Sequence, residues 1–301
     1  MTLETLSHCP VCTHTQFAKY LLVKDHTVSK RDFQIVRCER CGFLFTNPRP
    51  PAQEIGQYYD SSDYISHHDE ATTLMSRVYN GVRNYTTGQK IHLIERVSPR
   101  RQGTLLDVGC GTGYFLSQCR QQGWTTVGTE PDAQARDVAQ SRVGELIFES
   151  IEAPYFEEKS FDIITMWHVL EHVHDLNGTL DWLRARLVAD GKLLVAVPNP
   201  ESNDAQTYQA NWAAYDVPRH LYHFTRKTMQ ELMDRHAFRL ESVQPMWFDS
   251  YYVSMLSTRY QSGRTSLPKS VLSGSVSNWK GRKSSKGFPN TSSLIYVLSK
   301  A

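Results

Sequence analysis

No stretch of this 301-residue chain approaches the ~18 apolar residues that a membrane-spanning helix needs. Its start lacks the basic-then-apolar pattern of a secretion signal, so a cytoplasmic setting is expected. Neither sign of charge dominates: 33 Lys and Arg stand against 31 Asp and Glu, and a formal net charge of +2 gives no argument for a nucleic-acid or membrane partner. Cysteine is scarce, six residues in all, and a reducing compartment disfavours pairing them as disulfides. What is present is the composition of an ordinary soluble globular protein, 40% hydrophobic and 21% charged. The length suits about two domains with a substantial core.

The glycine-rich turn is informative through what it is not. Residues 105–113 read Leu105-Leu106-Asp107-Val108-Gly109-Cys110-Gly111-Thr112-Gly113, and Tyr114-Phe115-Leu116 starts a helical pattern. This is strand, tight turn and helix, the opening of an α/β nucleotide-binding unit in which glycines let a ligand lie against bare main chain. A phosphate loop would need GxxxxGK followed by Ser or Thr, and a dinucleotide site GxGxxG. The pattern here is DxGxGxG. An acid inside it repels a pyrophosphate and suits a cationic group, such as the ammonium and sulfonium of S-adenosylmethionine. Residues 125–131 read as the next strand, ending in Glu130, 21 residues after Gly109. A carboxylate at that distance is placed to accept hydrogen bonds from both ribose hydroxyls. A lone glycine loop could be a plain turn; the correctly spaced acid makes it an adenosine site.

Asp107 to Gly113, Glu130, Ser160-Phe161-Asp162-Ile163-Ile164 and Leu170-Glu171-His172-Val173 together resemble the class I S-adenosylmethionine-dependent methyltransferases, in particular a bacterial branch with "LEHV" after the fourth strand. The likeness covers roughly residues 85–260. It implies a Rossmann-like α/β fold: a seven-stranded doubly wound sheet with an antiparallel last strand. It also implies that Asp107, Gly109, Gly111 and Gly113 hold the methionine part, that Glu130 takes the ribose, and that Ser150, Ile151 and Glu152 frame the adenine, with Trp167 at the tip of the fourth strand. Quinone-biosynthesis O-methyltransferases are similar here but carry Glu where this chain has His168, a position implicated with the Glu-His pair in metal binding. His168, Glu171 and His172 are conceivable ligands on that analogy, but no catalytic metal is expected.

Cys9-Pro10-Val11-Cys12 and Cys38-Glu39-Arg40-Cys41 are two CxxC knuckles 25 residues apart. Each turn points two thiolates at one centre, so Cys9, Cys12, Cys38 and Cys41 make a tetrahedral four-cysteine zinc site. Two disulfides or a redox CxxC are the competing readings. About 50 residues have too little core to stand alone, so the zinc is read as structural. Cys110 and Cys119 are read as small packed residues. Zinc ribbons before this catalytic fold resemble both sugar-modifying methyltransferases of natural-product pathways and a bacterial ribosomal RNA guanine methyltransferase.

The expected organisation is a zinc ribbon over 1–50, a helical linker or cap over 51–98, and a methyltransferase domain over 99–301. Asn47-Pro48-Arg49-Pro50-Pro51 ends the ribbon. Tyr59 and Tyr64 could roof the cleft or merely pack. Strands are predicted near 104–108, 125–129, 145–149, 161–166, 192–197, 239–247 and 293–299, with helices near 113–122, 132–142 and 176–188. Residues 261–291, rich in Ser, Gly, Lys and Arg, read as an exposed, mobile insertion.

Ligands bind beyond the carboxyl ends of such strands, where residues 166–174 and 199–224 hold five of the 12 histidines. Methyl transfer to a hydroxyl or carbon acid needs a base, and histidine suits that task near neutral pH. His168 leads and His220 follows; Tyr215, Asp216 and Arg219 could orient a polar substrate, while Glu171 and His172 read as capping or packing residues. The expected function is methyl transfer from S-adenosylmethionine to a small molecule, an intermediate of sugar, polyketide or quinone-like metabolism. The alternatives are an RNA methyltransferase whose ribbon grips nucleic acid, disfavoured by the weak charge, and a non-catalytic zinc-ribbon scaffold. Oligomeric state is not legible.

Overall fold

The computed structural model describes residues 2–59, 74–282 and 287–301, with side chains from residue 80 onward in the first long helix. Three antiparallel strands open the chain: β1 (Phe17–Lys24), β2 (Asp32–Cys38) and β3 (Leu44–Thr46). After a single turn of 3-10 helix at Ile55–Tyr58 comes α1 (Leu74–Val97). Strand and helix then alternate: β4 (Thr104–Val108), α2 (Tyr114–Gln121), β5 (Thr125–Thr129), α3 (Ala133–Val143), β6 (Ile147–Phe148), β7 (Phe161–Trp167), α4 (Leu176–Arg186) and β8 (Leu187–Pro198). The remainder is α5 (Asn203–Tyr208), β9 (Tyr222–His223), α6 (Arg226–Arg235), β10 (Phe238–Pro245), α7 (Asp249–Ser262), α8 (Leu267–Arg282) and β11 (Ser293–Lys300).

The main sheet runs β10-β11-β8-β7-β4-β5-β6. The four pairings from β8 across to β6 are parallel, and β11 lies antiparallel between β10 and β8. This is the expected seven-stranded sheet with its reversed last strand. The first six residues of β7, Phe161 to Met166, are all buried, as befits a central strand covered by helices on both faces. Chain order reverses between β4 and β7, which leaves a crevice at their carboxyl ends. Side-chain caps fix where helices begin beside that edge. Asp132 Oδ1 accepts from the Ala135 N–H (2.8 Å) and Asp175 Oδ1 from the Gly178 N–H (2.9 Å).

The ribbon is tied to the rest of the chain. Its strands form a second sheet, β1-β2-β3-β9, whose edge partner β9 comes from residues 222–223. One core cluster joins Cys9, Phe43 and Phe45 to Leu106, Ile164 and Met229; another joins Phe33, Ile35 and Leu44 to Trp212 and Tyr215. A boundary at residue 50 therefore marks a change of architecture, not a break in packing.

Helix α1 buries Ile91, Leu93 and Ile94 against Leu105, Phe115 and Trp124, so its last turns cover a face of the main sheet. Tyr64 lies outside the described residues. One expectation needs correction: residues 261–291 are not simply an exposed insertion, because 267–282 form α8, which buries Ser270, Gly274, Ser277, Asn278 and Gly281. Small side chains allow this. A Cβ on Gly274 would come within 2.8 Å of the Tyr251 ring, so the helix sits close on α7.

Candidate active site and four-cysteine centre

The glycine loop follows β4, and its three glycines all adopt positive φ, each for its own reason. A Cβ on Gly109 (φ 72°) would meet Val169 Cγ2 at 2.5 Å, and one on Gly113 (φ 71°) would press on Ala139 at 3.0 Å. Gly111 (φ 54°) faces open space, where a ligand would lie on the main chain. Glu130 at the tip of β5 holds the loop's shape: its Oε2 accepts from the Gly111 N–H (2.8 Å) and its Oε1 from the Asp132 N–H (3.0 Å). Burial raises its pKa against those hydrogen bonds.

Asp107 is 2% exposed. Burial pushes its carboxyl up to about 7, against the pull of the Thr165 hydroxyl (2.6 Å) and the Lys90 ammonium. A carboxylate so placed gains most from a nearby cation. Lys90, on α1, went unnoticed in the sequence. Its Nζ sits 4.3 Å from the Trp167 ring centroid and is attracted to Asp107 and Asp249, although burial lowers its pKa overall. Trp167 packs edge-on against Phe115 (5.6 Å). Ser150, Ile151 and Glu152 follow β6; Ile151 packs on the core and the Glu152 N–H donates to Ser150 Oγ (3.2 Å).

His168, just past β7, has a left-handed backbone (φ 58°), a conformation costing on the order of 1–2 kcal/mol in a non-glycine residue. This turn lets Nδ1 reach Glu171 Oε1 (3.3 Å) while Nε2 meets Asp249 Oδ2 (2.9 Å). Burial alone would lower its pKa, but the two carboxylates win and raise it to about 10. Carboxylates at both ring nitrogens favour the protonated imidazole. This geometry disfavours His168 as the base and fits a positioning cation.

The second histidine set packs ring against ring. His220 Nδ1 is 2.9 Å from the Ala214 carbonyl, which can only accept, so Nδ1 carries a proton and Nε2 is the nitrogen left to face the cleft side. Nε2 is 3.9 Å from Asp216 Oδ2. His172 stands edge-on to His220, with centroids 4.6 Å apart, and its Nδ1 approaches the Arg219 carbonyl (3.1 Å) and the Tyr59 hydroxyl (2.9 Å). Burial and the neighbouring His220 lower the His172 pKa to about 4. Tyr59 thus serves this histidine pair. Glu171, His172 and His220 offer ligand atoms within 4.8 Å of one another, but both Nδ1 atoms already face carbonyls.

Arg219 locks this side together. It is 1% exposed, grips Asp216 through Nε (3.0 Å) and Nη2 (2.5 Å), donates to the Tyr58 carbonyl (2.8 Å) and reaches Asp25 Oδ1 on the ribbon (3.4 Å). Asp25 in turn accepts from the N–H and hydroxyl of both Thr27 and Ser29, which outweigh burial and hold its pKa at about 2. Tyr215 is fully buried against Trp212 and is a packing residue.

All four expected cysteines converge. Cys9 and Cys41 Sγ are 3.6 Å apart, Cys12 and Cys38 3.5 Å, and the four atoms lie within 4.8 Å. A zinc ion with Zn–S near 2.3 Å spaces tetrahedral sulfurs about 3.8 Å apart, so the cluster is compatible with zinc. All six cysteines are free thiols in the fold, and Cys110 and Cys119 are buried packing residues.

A family model described as "Methyltransferase domain" matches residues 82–243, more than half of the chain. An uncharacterized methyltransferase of Alkaliphilus oremlandii is 28% identical over 127 residues, which is 40% of this chain and 57% of that protein. Another, of Mycolicibacterium vanbaalenii, is 33% identical over 103 residues, 32% of this chain and 40% of that protein. The chain thus spans about half the length of the curated relatives it matches. The structure of magnesium protoporphyrin IX methyltransferase from Synechocystis superposes with a TM-score of 0.51 at 11% identity, over 83% of this chain and all of that one, a likeness of fold. With the acid-glycine loop and Glu130 at the strand-order reversal, these matches make the chain a member of the class I S-adenosylmethionine-dependent methyltransferase family.

Proposed function

We propose that this protein transfers a methyl group from S-adenosylmethionine to a small-molecule acceptor seated between the strand tips and the roof formed by the ribbon and residues 209–224. The observation that carries this reading is the convergence of Asp107, open-faced Gly111 and Glu130 at one crevice. Asp107 suits the ammonium, Gly109, Gly111 and Gly113 the methionine chain, Glu130 the ribose, and Ser150, Ile151, Glu152 and Trp167 the adenine. S-adenosylmethionine supplies the activated methyl carbon. His220 Nε2 takes the acceptor's proton, while the cationic His168 positions Glu171 and Asp249. The four cysteines hold a structural zinc. The acceptor is read as a sugar, polyketide or quinone-like intermediate, and no geometric feature favours nucleic acid over it.

The test is a screen of metabolite pools for methyl transfer from labelled S-adenosylmethionine, with calorimetry of cofactor binding alongside. Binding with a labelled small product supports the reading; labelled RNA as the sole product, or no binding, overturns it. His220→Gln is expected to lower kcat by about 10²–10⁴-fold with cofactor affinity kept. An unchanged rate would remove His220 from the base role.

A further inference from the structure

The net charge of +2 is what remains of an uneven distribution. Residues 250–301 contain no Asp or Glu and hold eight of the 33 Lys and Arg, leaving 25 basic against 31 acidic residues in 1–249. This acid-free segment forms α7 beyond its first residue, Asp249, together with α8 and β11, and α8 is amphipathic in the wrong sense for a water-facing helix. Its inward face is small and polar: Ser277 Oγ donates to Asp204 Oδ1 (2.8 Å) and Asn278 Nδ2 to the Trp247 carbonyl (2.8 Å). Its outward face carries Leu272, Val276 and Trp279, at i, i+4 and i+7, exposed by 65%, 37% and 58%. Leu267 and Val271, nearer the helix start and on another edge, are exposed as well. At ~100° per residue, Lys269 and Lys280 fall together on one flank of this stripe.

A soluble surface seldom presents an apolar row with a tryptophan. An apolar stripe flanked by lysines is what an interfacial helix uses to lie in the headgroup region of an anionic membrane. We propose that α8 docks this protein on an anionic bilayer surface, with Leu272, Val276 and Trp279 entering the headgroup–acyl boundary and Lys269 and Lys280 meeting lipid phosphates. Charge complementarity selects this occupant: a protein groove would answer the apolar row but gives no reason for 52 residues without an acid. The helix under α8 begins at Asp249, the partner of His168, so the docking face and the cleft share one element.

The experiment is co-sedimentation of the full chain with vesicles of phosphatidylcholine alone or mixed with phosphatidylglycerol, at low and high salt. Expected is partition to the anionic vesicles at least about tenfold stronger than to the neutral ones, weakened by salt. Leu272→Ser with Val276→Ser should reduce it by about tenfold or more, and Lys269→Gln with Lys280→Gln should reduce it and flatten the salt dependence. These positions are exposed, and unchanged circular dichroism checks that each variant is folded. Equal partition to both vesicle types, or binding unaffected by the serine pair, overturns the proposal. So does a concentration-dependent dimer by sedimentation velocity that the serine pair abolishes, since the face would then belong to a second copy of the chain.

Discussion

The two sides of the cleft are built from different materials. On the cofactor side the contacts are mostly main chain: three positive-φ glycines and a loop held by one carboxylate, Glu130, 19 positions from the Gly111 N–H it accepts. On the acceptor side they are side chains brought from far along the chain, such as Arg219 with Asp25, separated by 194 positions, and Thr46 with the His220 carbonyl, separated by 174. Main-chain recognition tolerates side-chain change but not an added Cβ. A side-chain lattice tolerates neither the loss of a charge nor a shift of either partner. One framework can therefore keep a common cofactor while its acceptor half diverges.

The largest effect that would separate the halves is expected from Cys38→Ser. Loss of one thiolate should release the proposed zinc and unfold the ribbon, because structural zinc supplies about 10 kcal/mol or more to such small units. Metal analysis and limited proteolysis of residues 1–50 read this; full zinc content in the variant would refute the four-cysteine site. Arg219→Met comes next. It strands the buried Asp25 and partly exposed Asp216 charges, at a cost of about 3–5 kcal/mol in urea unfolding. Cofactor affinity in the surviving folded fraction should be nearly normal. If it fell as far as stability, the halves would not be separable.

Gly111→Val attacks the other side. The position has positive φ and open space in front of it, so valine is both strained and in the ligand's way. Calorimetry should show S-adenosylmethionine affinity lower by about 100-fold or more, roughly 2.7 kcal/mol, with stability down by only 1–2 kcal/mol. Unchanged affinity would sink the assignment of the loop.

The pH dependence offers a finer comparison. His168 has a folded pKa raised to about 10 above an ordinary 6.5, so its pairing stabilises fully below 6.5 and that contribution fades as pH rises toward 10. His172, lowered to about 4, behaves oppositely: its contribution is present above 6.5 and fades as pH falls toward 4. In His168→Asn the alkaline decline between pH 7 and 10 should flatten by roughly 1 kcal/mol, the value of a partly exposed pair, while the acid limb stays. A parallel loss of both limbs would mean that the two histidines titrate as one network.

What the sequence made legible follows the same division. Strands 104–108 and 125–129 fall where their apolar runs place them, and Asp107 and Glu130 stand at their tips, because that pattern is local. The cysteine knuckles were legible from spacing alone. Hidden was everything that depends on a distant partner. His168 read as a base until Asp249, 81 residues on, was seen to hold its second nitrogen. Lys90 looked like any helix lysine, and the two-residue strand Tyr222–His223 is too short for any period to announce. Helix α8 was missed because its core face is Ser and Gly, the letters of a loop, and its apolar residues face outward.

The smallest expected effect tests whether the acceptor side depends on local helix starts as well as on its ion pairs. Helix α6 follows β9, the strand that joins the ribbon to the main body, and begins with a reciprocal cap. Thr225 Oγ1 accepts from the Thr228 N–H (3.2 Å), and Thr228 Oγ1 accepts from the Thr225 N–H (3.1 Å). Thr225→Ala removes one half of that exchange and should cost about 1 kcal/mol. Because α6 anchors through Met229, Leu232 and Met233, all fully buried, the loss should appear in urea unfolding without any change in cofactor affinity. A loss above about 3 kcal/mol would show that the cap sets the position of β9 and, through it, of the whole ribbon.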